Sequence, residues 1–206
     1  MITLYHSPFT RSHLIRFALE ELGLPHEVRA VDMARGEHKG AAFLDLNPLG
    51  QLPVLVDGPL VLREAAAIAL HLGDQMAEHR LAPAPSSPER AAYYQWVVFS
   101  VASELRALSK IVLHTRVLPA TSRIPAVAAT GRDEWADVAR ALTLAVHGRT
   151  FLLDAGFSLA DVMVGGALSL AQVLGVLSPY PDLVAYFGRV SERPAFRRAY
   201  VDAVTA

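Results

Sequence analysis

Residues 47–72 place three kinds of binding group close together along the chain. The apolar run at residues 52–56 predicts a strand, and Pro53 inside it lacks a backbone donor, which suits a strand edge or a cis peptide bond. Glu64 directly precedes a predicted helix. A strand edge at Leu52, a carboxylate and the free N–H groups of a helix start could hold a small zwitterionic peptide. A plain β-hairpin packed on a helix also explains the pattern.

The composition argues against several classes of function. The chain has 206 residues, of which 52% are hydrophobic and 19% are charged, and this predicts a packed globule of one large or two small domains. A net charge of −1 without a basic stripe argues against nucleic-acid binding. The absence of cysteine excludes disulfides, thiolate metal sites and a cysteine nucleophile. Because we find neither a membrane-spanning apolar run nor a signal peptide, we expect a cytoplasmic protein without membrane partners.

The N-terminal part of the chain predicts the element order βαβ, then α, then ββα. Residues 2–5 and 27–31 are predicted strands, and the helix between them shows apolar residues at helical spacing and ends at Gly23. Asp57 and Gly58 predict the turn of a β-hairpin further along. The βαβ unit should give a parallel strand pair with a right-handed crossover.

From residue 88 onward every long segment predicts a helix. Residues 79–87, rich in proline and serine, form the predicted linker between a first domain at 1–78 and a second, all-α domain at 88–206. Ser158 and Asp161 predict a capping box before a nearly uncharged helix, which we expect to be buried. The predicted helices cover residues 89–114, 133–147, 162–176 and 183–190 with a last one from 193, whereas residues 118–131 are predicted to be irregular.

Three stretches resemble the cytosolic glutathione transferases: residues 5–25, 36–68 and 157–168. The second contains Asn-Pro-x-Gly-Gln-x-Pro-x-Leu, a pattern similar to that of phi and theta-like or bacterial members. The third resembles the family's Ser/Thr-x-x-Asp folding motif. Together they span nearly the whole chain in the family's order. The resemblance implies an α/β thioredoxin-like N-terminal domain, which binds glutathione, followed by an all-helical domain.

The resemblance also assigns roles to single residues. Leu52, before a cis-proline, would exchange backbone hydrogen bonds with the cysteinyl residue of glutathione, and Glu64 would bind the γ-glutamyl ammonium group. His38 and Lys39 would reach the glycine carboxylate, unless they form a solvated loop. Glu64 could alternatively complement the helix dipole alone. The implied glutathione-binding residues are His38, Lys39, Gln51, Leu52, Pro53, Glu64 and Ala65.

Ala65 departs from the family pattern, which usually has serine at this position. The hydroxyl that would bind the γ-glutamyl carboxylate is missing, although backbone N–H donors remain. A hydrogen bond to a charged group is worth about 1.5–3 kcal/mol. We therefore expect glutathione binding that is weaker by about ten-fold or more, but not lost.

Glutathione would act as a co-substrate, so its thiol, with a free pKa of about 8.5, needs an activating group. A hydroxyl at a helix N-terminus could donate to the sulfur and stabilise the thiolate. An alignment without gaps puts the family's hydroxyl position on Phe9, and a one-residue shift selects Thr10. We predict Thr10 first and Ser12 second as catalytic residues, with stabilisation of the thiolate by the cation of Arg11 third, and Ser7 is a further candidate. A helix N-cap is the alternative role of both Thr10 and Ser12.

The site for a hydrophobic electrophile carries no motif that could identify the compound. Phe9, Ser103 and Arg106 are our candidate contacts. The histidines outside residues 36–40 show no metal-ligand spacing, so we expect no metal ion.

The implied function is that of a glutathione transferase, active in detoxification and assembled as a homodimer. A glutathione-dependent isomerase or peroxidase on the same fold is the first alternative, and the lack of cysteine limits it to mechanisms that use only the thiol of glutathione. The second alternative is a non-catalytic module that binds glutathione or a protein. Phe9, Arg11 and Ala65 favour this second alternative because none of them matches the expected catalytic or binding group.

Overall fold

The computed structural model describes residues 1–76 and 81–200. The chain divides into two compact units, one containing residues 1–82 and the segment from residue 192, the other containing Pro83–Ser191. Residues 79 and 80 of the predicted linker lie outside the described residues, and the boundaries of the predicted domains stay predictions. Within the described ranges, no helix is both long and apolar enough to cross a bilayer.

The first unit is built on a four-stranded mixed sheet with strand order β2-β1-β3-β4. β1 pairs with β2 in parallel, and the pairs β1–β3 and β3–β4 are antiparallel. The predicted βαβ unit and hairpin are thus both present. The strands are β1 (Ile2–His6), β2 (His26–Ala30), β3 (Val54–Asp57) and β4 (Leu60–Arg63), and the helices are α1 (Ser12–Leu22), α2 (Ala41–Leu46) and α3 (Ala65–Gln75).

Local sequence explains the ends of these elements. Gly23 adopts φ 61°, and its N–H donates to the carbonyl of Glu20 while the N–H of Leu24 donates to the carbonyl of Leu19. This is the left-handed C-terminal motif that glycine favours, so α1 ends where the sequence predicts. Along β1 the side chains alternate between buried and half-buried, which is the period of two expected for a strand.

The C-terminal helix packs within the first unit. This helix, α9 (Pro194–Tyr200), lies against α1. Arg193, just before it, makes two hydrogen bonds to the carboxylate of Glu21, at 2.6 and 2.7 Å. Phe196 packs edge to face on Phe17 with ring centroids 5.4 Å apart. The helical segment from residue 193 is therefore part of the sheet-containing unit.

The second unit is all-helical, as predicted. Its first two α-helices are α4 (Arg90–Phe99) and α5 (Leu105–Val112). One π-helical segment, Ser100–Glu104, joins them, and a second, Leu113–Val117, follows α5. Our prediction of irregular structure up to residue 131 was wrong, because α6 begins at Pro125, and proline is well suited to the first turn of a helix. Asp133, the first residue of the helix predicted from the sequence, therefore lies inside α6. The helices are α4 (Arg90–Phe99), α5 (Leu105–Val112), α6 (Pro125–Val146), α7 (Leu159–Leu174) and α8 (Pro181–Ser191).

Asp161 holds the start of α7 in the core of this unit. Its carboxylate accepts the N–H of Ser158 at 3.0 Å, the N–H of Leu152 at 2.9 Å and the hydroxyl of Tyr186 at 2.9 Å. The Ser158 hydroxyl accepts the N–H of Ala160, so the predicted capping box is confirmed. The first ten residues of α7 are all buried, as the nearly uncharged sequence predicts, and Asp161 is the one acid among them. These observations confirm the predicted fold class of a thioredoxin-like α/β domain with an all-helical domain.

Glu104 is a fully buried acid at the end of the first π-helical segment. Within the described chain, neither of its carboxylate oxygens has a hydrogen-bond partner. Burial raises the pKa of Glu104 well above its usual value of 4.5, because a low-dielectric interior disfavours the charged form. Glu104 is therefore protonated in the folded state at pH values where it is ionised in the unfolded chain.

This difference in ionisation makes folding stability depend on pH. Between the unfolded-state and folded-state pKa values, the native state binds more protons, so the free energy of unfolding falls as pH rises. Glu104→Gln keeps the shape and removes the titration. We expect this variant to gain stability relative to the parent from about pH 5 upward, by up to about 1.4 kcal/mol per pH unit.

Denaturant unfolding between pH 4 and pH 8 measures this effect. The exposed Glu192 provides the matched control, because Glu192→Gln removes one carboxylate without removing a buried one. Parallel stability–pH curves for the parent and Glu104→Gln would contradict a protonated Glu104.

Candidate functional site

Three chain segments end at the same place on the sheet. The β1–β3 register sets Tyr5 opposite Val54, and the β3–β4 register sets Val54 opposite Arg63. The residues that follow β1, precede β3 and follow β4 therefore meet. They form a small pocket that contains five of the predicted glutathione-binding residues. The lining residues are Arg11, Asn47, Gln51, Leu52, Pro53, Glu64 and Ala65.

Asn47 fixes the loop that leads into β3. Its side-chain N–H donates to the carbonyl of Gln51 at 2.7 Å, and its Oδ1 accepts the N–H of Leu49 at 3.1 Å. The Asn47 side chain is buried, so both ends of its amide are used inside the loop. The Leu52–Pro53 bond is cis, as the resemblance implied. Sequence reasoning did not select Asn47, although the Asn-Pro pair that begins this loop is a turn signal.

Glu64 immediately precedes α3 and has φ 68° and ψ 116°, an uncommon conformation for a residue with a side chain. Its side chain does not cap the helix. The N–H of Ile68 is the first to bond back, to the carbonyl of Glu64 at 3.0 Å. The N–H groups of residues 65–67 are thus the free donors of the helix start, where an anion is favoured. Ala65 adds only its backbone N–H.

His38 and Lys39 do not line the pocket. They lie in a short 3₁₀ turn, Glu37–Lys39, and Lys39 Nζ donates to the carbonyl of Leu49 at 2.9 Å. Gly50 packs so closely on this turn that a Cβ there would lie 2.6 Å from the carbonyl oxygen of His38. Both residues therefore contact the loop next to Gln51, and their predicted role toward the glycine carboxylate stays a prediction.

The hydroxyl groups predicted to activate a thiol form one hydrogen-bonded cluster between β1 and α1. Thr10 Oγ1 lies 2.6 Å from Ser12 Oγ and donates to the carbonyl of Ser7 at 2.8 Å. Ser12 Oγ lies 2.7 Å from His6 Nδ1. Ser12 is fully buried and Thr10 is half-buried. Neither hydroxyl lines the pocket, but Arg11, which lies between them in sequence, does.

The cluster also performs part of the capping role that we considered for these residues. Thr10 Oγ1 accepts the N–H of Ser12 at 3.3 Å, which is the type of contact made by a capping hydroxyl. Ser12 is the first residue of α1, so it is not the N-cap. Capping and a catalytic role do not exclude each other, because a hydroxyl accepts through its lone pairs and donates through its hydrogen.

Sequence reasoning missed His6, which we interpreted as one of several scattered histidines. It is the last residue of β1 and faces the interior in the alternation of that strand, which was the signal that could have selected it. Its ring packs edge to face on His13 with centroids 4.6 Å apart. Burial, followed by the charges of His13 and Arg16, lowers the pKa of His6 to about 3. The imidazole is therefore neutral at physiological pH.

Phe9 and Glu64 are the non-glycine residues with positive φ in the described chain. Phe9 has φ 61°, and its side chain is 90% exposed. A left-handed backbone costs an L-residue roughly 1–2 kcal/mol, and such strain collects at functional sites. Glu64 lines the pocket, and Phe9 lies two residues before Arg11, which also lines it. Both strained residues therefore belong to the segments that form the site.

The pocket contains an anion and a cation that do not pair with each other. Over residues 1–76 and 81–200, the carboxylate of Glu64 and the guanidinium of Arg11 make no hydrogen bond or ion pair. Two opposite charges left available in one pocket match a zwitterion, such as the ammonium and carboxylate groups of an α-amino acid. Among these same residues, no group of three or more histidines or acids is arranged to hold a metal ion.

The other predicted electrophile contacts lie in the helical unit. Ser103 is half-buried in the first π-helical segment. Arg106 is exposed, donates to the carbonyl of Ala102 at 3.1 Å and pairs with Glu134 at 3.1 Å. The guanidinium of Arg106 is thus held on its own unit, and the roles of Ser103 and Arg106 stay predictions.

Replacing Phe9 by glycine tests the strain at this residue. Glycine adopts a positive φ without steric cost, and the exposed ring buries little surface, so we expect Phe9→Gly to raise the free energy of unfolding by about 0.5–1 kcal/mol. Leu49→Gly is the control, because Leu49 is also an exposed apolar loop residue but has no positive φ. Thermal unfolding of both variants measures the difference, and a loss of stability in Phe9→Gly would contradict strain at Phe9.

Comparison with known proteins identifies the family of the N-terminal residues and a relative of similar length. A model of the Glutathione S-transferase, N-terminal domain, matches residues 1–74. Glutathione S-transferase 3 of Zea mays is 29% identical over 205 residues, which cover 96% of this chain and 92% of that protein.

Solved structures share the fold over nearly the whole chain. The glutathione transferase URE2P8 from Phanerochaete chrysosporium, with oxidized glutathione, has a TM-score of 0.90 at 22% identity, covering 99% of this chain and 95% of that one. A glutathione transferase from Burkholderia graminis, with two glutathione molecules bound per subunit, has a TM-score of 0.87 at 23% identity, covering 96% of this chain and 86% of that one. The domain match, the full-length relative and the shared fold agree: residues 1–74 match the N-terminal domain of the glutathione transferases, and this chain is similar to these proteins along nearly its whole length.

Proposed function

We propose that this protein binds glutathione in the pocket at the end of β1 and activates its thiol for attack on a hydrophobic electrophile. One observation carries the proposal: residues predicted from sequence to bind glutathione, at positions 51–53 and 64–65, line a single pocket together with Arg11. Relatives of similar length support it, since a maize relative is named a glutathione S-transferase and fold neighbours hold glutathione.

Each part of glutathione finds a complementary group at this site. The cysteinyl backbone pairs with the backbone of Leu52 as a short strand added to the sheet. The γ-glutamyl ammonium binds the carboxylate of Glu64, which has no other partner in the described chain. The γ-glutamyl carboxylate binds the free N–H groups at the start of α3. Lys39 and His38 approach the glycine end from the turn next to Gly50.

Arg11 takes over the contact that Ala65 has lost. A serine at position 65 would bring a hydroxyl to the γ-glutamyl carboxylate, and alanine cannot. Arg11 lines the same pocket as Ala65 and Glu64, and its guanidinium is not engaged by any residue that the structure describes. A charge-assisted hydrogen bond from guanidinium to carboxylate is stronger than one from a neutral hydroxyl. Glu64 and Arg11 then bind the two charges of the γ-glutamyl group.

The chemical step is a thiol activation followed by nucleophilic attack. The bound thiol releases its proton to solvent, and the thiolate accepts a hydrogen bond from a hydroxyl in the cluster at Thr10. The sulfur then donates an electron pair to form a bond to the electrophilic carbon. In a substitution the leaving group departs with its bonding pair, and in an addition the π electron pair moves to the neighbouring atom, which takes up a proton from solvent. Phe9 provides an exposed aromatic surface next to this cluster for an apolar electrophile. The homodimer, the cytoplasmic location and the role in detoxification remain predictions of the same proposal.

A non-catalytic glutathione-binding module is the second candidate. The observation that favours it is Phe9, which occupies the position that an ungapped alignment assigns to the activating hydroxyl and points a bulky ring into solvent. The two candidates differ in one measurable quantity, the pKa of the bound thiol. A module needs only affinity, whereas a transferase must also favour the thiolate.

Titration with glutathione tests both halves of the proposal. Calorimetry measures binding, and the ultraviolet absorbance of the thiolate against pH gives the thiol pKa in the complex. We expect binding below millimolar concentrations and a pKa below the free value of about 8.5. Binding with an unshifted pKa would favour the module, and an absence of binding at millimolar glutathione would contradict both candidates.

Two carboxylate variants show whether binding occurs in this pocket. Glu64→Gln removes the charge facing the γ-glutamyl ammonium, and we expect about a ten-fold loss of affinity. Glu27→Gln removes an exposed charge on β2, at the far edge of the sheet, and should leave the affinity unchanged. Equal effects of the two substitutions would place the ligand elsewhere.

A ligand carrying one altered group can assign the role of Arg11. We expect Arg11→Gln to weaken binding of glutathione about ten-fold. It should have almost no effect on an analogue whose γ-glutamyl carboxylate is replaced by an amide, because the partner of the guanidinium is then already missing. This protein–ligand double-mutant cycle isolates one contact.

The same cycle distinguishes the other possible partners of Arg11. If the loss disappears with S-methylglutathione instead, Arg11 binds the thiolate. If it disappears with the glycine amide, Arg11 binds the glycine carboxylate. Arg35→Gln is the control, since Arg35 is an exposed arginine of the same unit. Ala65→Ser should restore part of the affinity lost in Arg11→Gln if the two groups share the γ-glutamyl carboxylate.

A further inference from the structure

A line of three polar side chains runs inward from Thr10 beneath the start of α1. Thr10 Oγ1 lies 2.6 Å from Ser12 Oγ, and Ser12 Oγ lies 2.7 Å from Nδ1 of His6. His6 and Ser12 are buried, and only Thr10 at the outer end is partly exposed. The other ring nitrogen of His6 is buried and has no hydrogen-bond partner among the described residues. The line therefore ends at His6 inside the protein, and at its other end the hydroxyl of Thr10 is accessible to a ligand.

Hydrogen counting gives this line a direction once the tautomer of His6 is assigned. We assign the ring proton to Nδ1, because Nε2 is buried without a partner and an N–H there would be an unsatisfied donor. A serine hydroxyl has one hydrogen and two acceptor sites. The N–H of Ser7 fills one acceptor site of Ser12 at 3.3 Å, and an Nδ1–H of His6 would fill the other. The hydrogen of Ser12 then goes to Thr10 Oγ1 at 2.6 Å rather than to the carbonyl of Ser7 at 3.3 Å.

Thr10 is then the last donor of the line. Its oxygen accepts the hydroxyl of Ser12 and also the backbone N–H of Ser12 at 3.3 Å, so both acceptor sites are filled. Its own hydrogen points to the carbonyl of Ser7 at 2.8 Å. Rotation about one C–O bond redirects this hydrogen to a ligand atom, and nothing else in the line has to move.

We propose that His6 and Ser12 are positioning residues that fill the acceptor sites of Thr10 and so make its hydroxyl the donor to the sulfur of bound glutathione. This inference rests on the proposed function, because it concerns the thiol of that ligand. Hydrogen bonds in a chain polarise one another, and each added bond strengthens the next by about 10–30%. A Thr10 hydroxyl that already accepts two hydrogen bonds is thus a better donor than an isolated one.

The line orients hydroxyl groups and does not carry away the thiol proton. His6 is neutral. Three features oppose a second proton on its ring: its burial, its packing against His13 and the nearby cation of Arg16. The proton of the thiol therefore leaves to solvent, and the thiolate gains a hydrogen bond from Thr10. The same geometry decides between the two predicted hydroxyls, since the fully buried Ser12 has no hydrogen left for a ligand.

Two substitutions of His6 with opposite hydrogen-bonding character test the direction. Asparagine offers an N–H near the position of Nδ1 and keeps the donor, whereas an ionised aspartate offers only an acceptor and would take the hydrogen of Ser12 away from Thr10. We expect His6→Asn to leave the thiol pKa of bound glutathione near that of the parent. His6→Asp should raise it by about half a unit or more, and Thr10→Val by about one unit or more.

Stability alone cannot produce this ordering. Both His6 variants alter a buried position, so both should lower the melting temperature, while only the loss of a donor raises the thiol pKa. His147→Asn, an exposed histidine of the helical unit, is the control for a histidine substitution as such. If His6→Asp does not fold, His6→Leu replaces it with a smaller expected rise in the thiol pKa, because leucine removes the hydrogen bond donated to Ser12 but offers no acceptor that would reverse the line.

The outcomes separate this inference from the function on which it rests. If the parent protein binds no glutathione, the proposed function fails and the inference fails with it. If the parent lowers the thiol pKa and Thr10→Val does not raise it, Thr10 is not the donor and only the inference is overturned. Equal thiol pKa values for the donor-keeping and donor-lacking variants of His6 would also overturn it, whereas the predicted order of the three variants supports it.

Discussion

The pairing of β3 with both β1 and β4 is the constraint on which the site depends. Because Tyr5 lies opposite Val54 and Val54 lies opposite Arg63, the end of β1, the start of β3 and the end of β4 share one edge of the sheet. A slip of one residue in either pair would turn every side chain of a strand to the other face. It would also separate Leu52, at the entry to β3, from Glu64, which follows β4.

Hairpin chemistry made this part of the site predictable. Asp57 and Gly58 predict the hairpin, whose two turn residues are Gly58 and Pro59, and the register that follows brings Glu64 to the strand edge at Leu52. The turn, the register and the position of Glu64 are all determined by local sequence within residues 47–72. The same local logic predicted the capping box of α7. It failed at the start of α6, where a proline that could equally end or begin a helix was interpreted as part of an irregular segment.

The segment between β1 and α1 was less predictable, because its conformation depends on contacts that no local pattern encodes. The sequence predicts a turn over residues 6–10, but a phenylalanine rarely adopts a positive φ, so nothing in the sequence predicted the left-handed backbone of this turn at Phe9. That turn decides which of Thr10, Arg11 and Ser12 faces inward. The buried Ser12 and the pocket-lining Arg11 follow from it, as does the contact between Ser12 and His6. The convergence of Leu52 and Glu64 in one pocket could thus be predicted from sequence, whereas the arrangement of Thr10, Arg11 and Ser12 needed the three-dimensional structure.

The absence of cysteine limits what the residues of the candidate site can contribute chemically. The protein has no thiol of its own, so it cannot form a mixed disulfide with a substrate, and any sulfur chemistry belongs to glutathione. The protein can then contribute only binding, orientation and hydrogen bonds to the sulfur. In the proposed function, binding comes from a sheet edge and from the separate charges of Glu64 and Arg11. Activation is proposed to come from one hydroxyl next to the strained turn at Phe9, so a change of a few residues there would alter the reaction while the affinity for glutathione is retained.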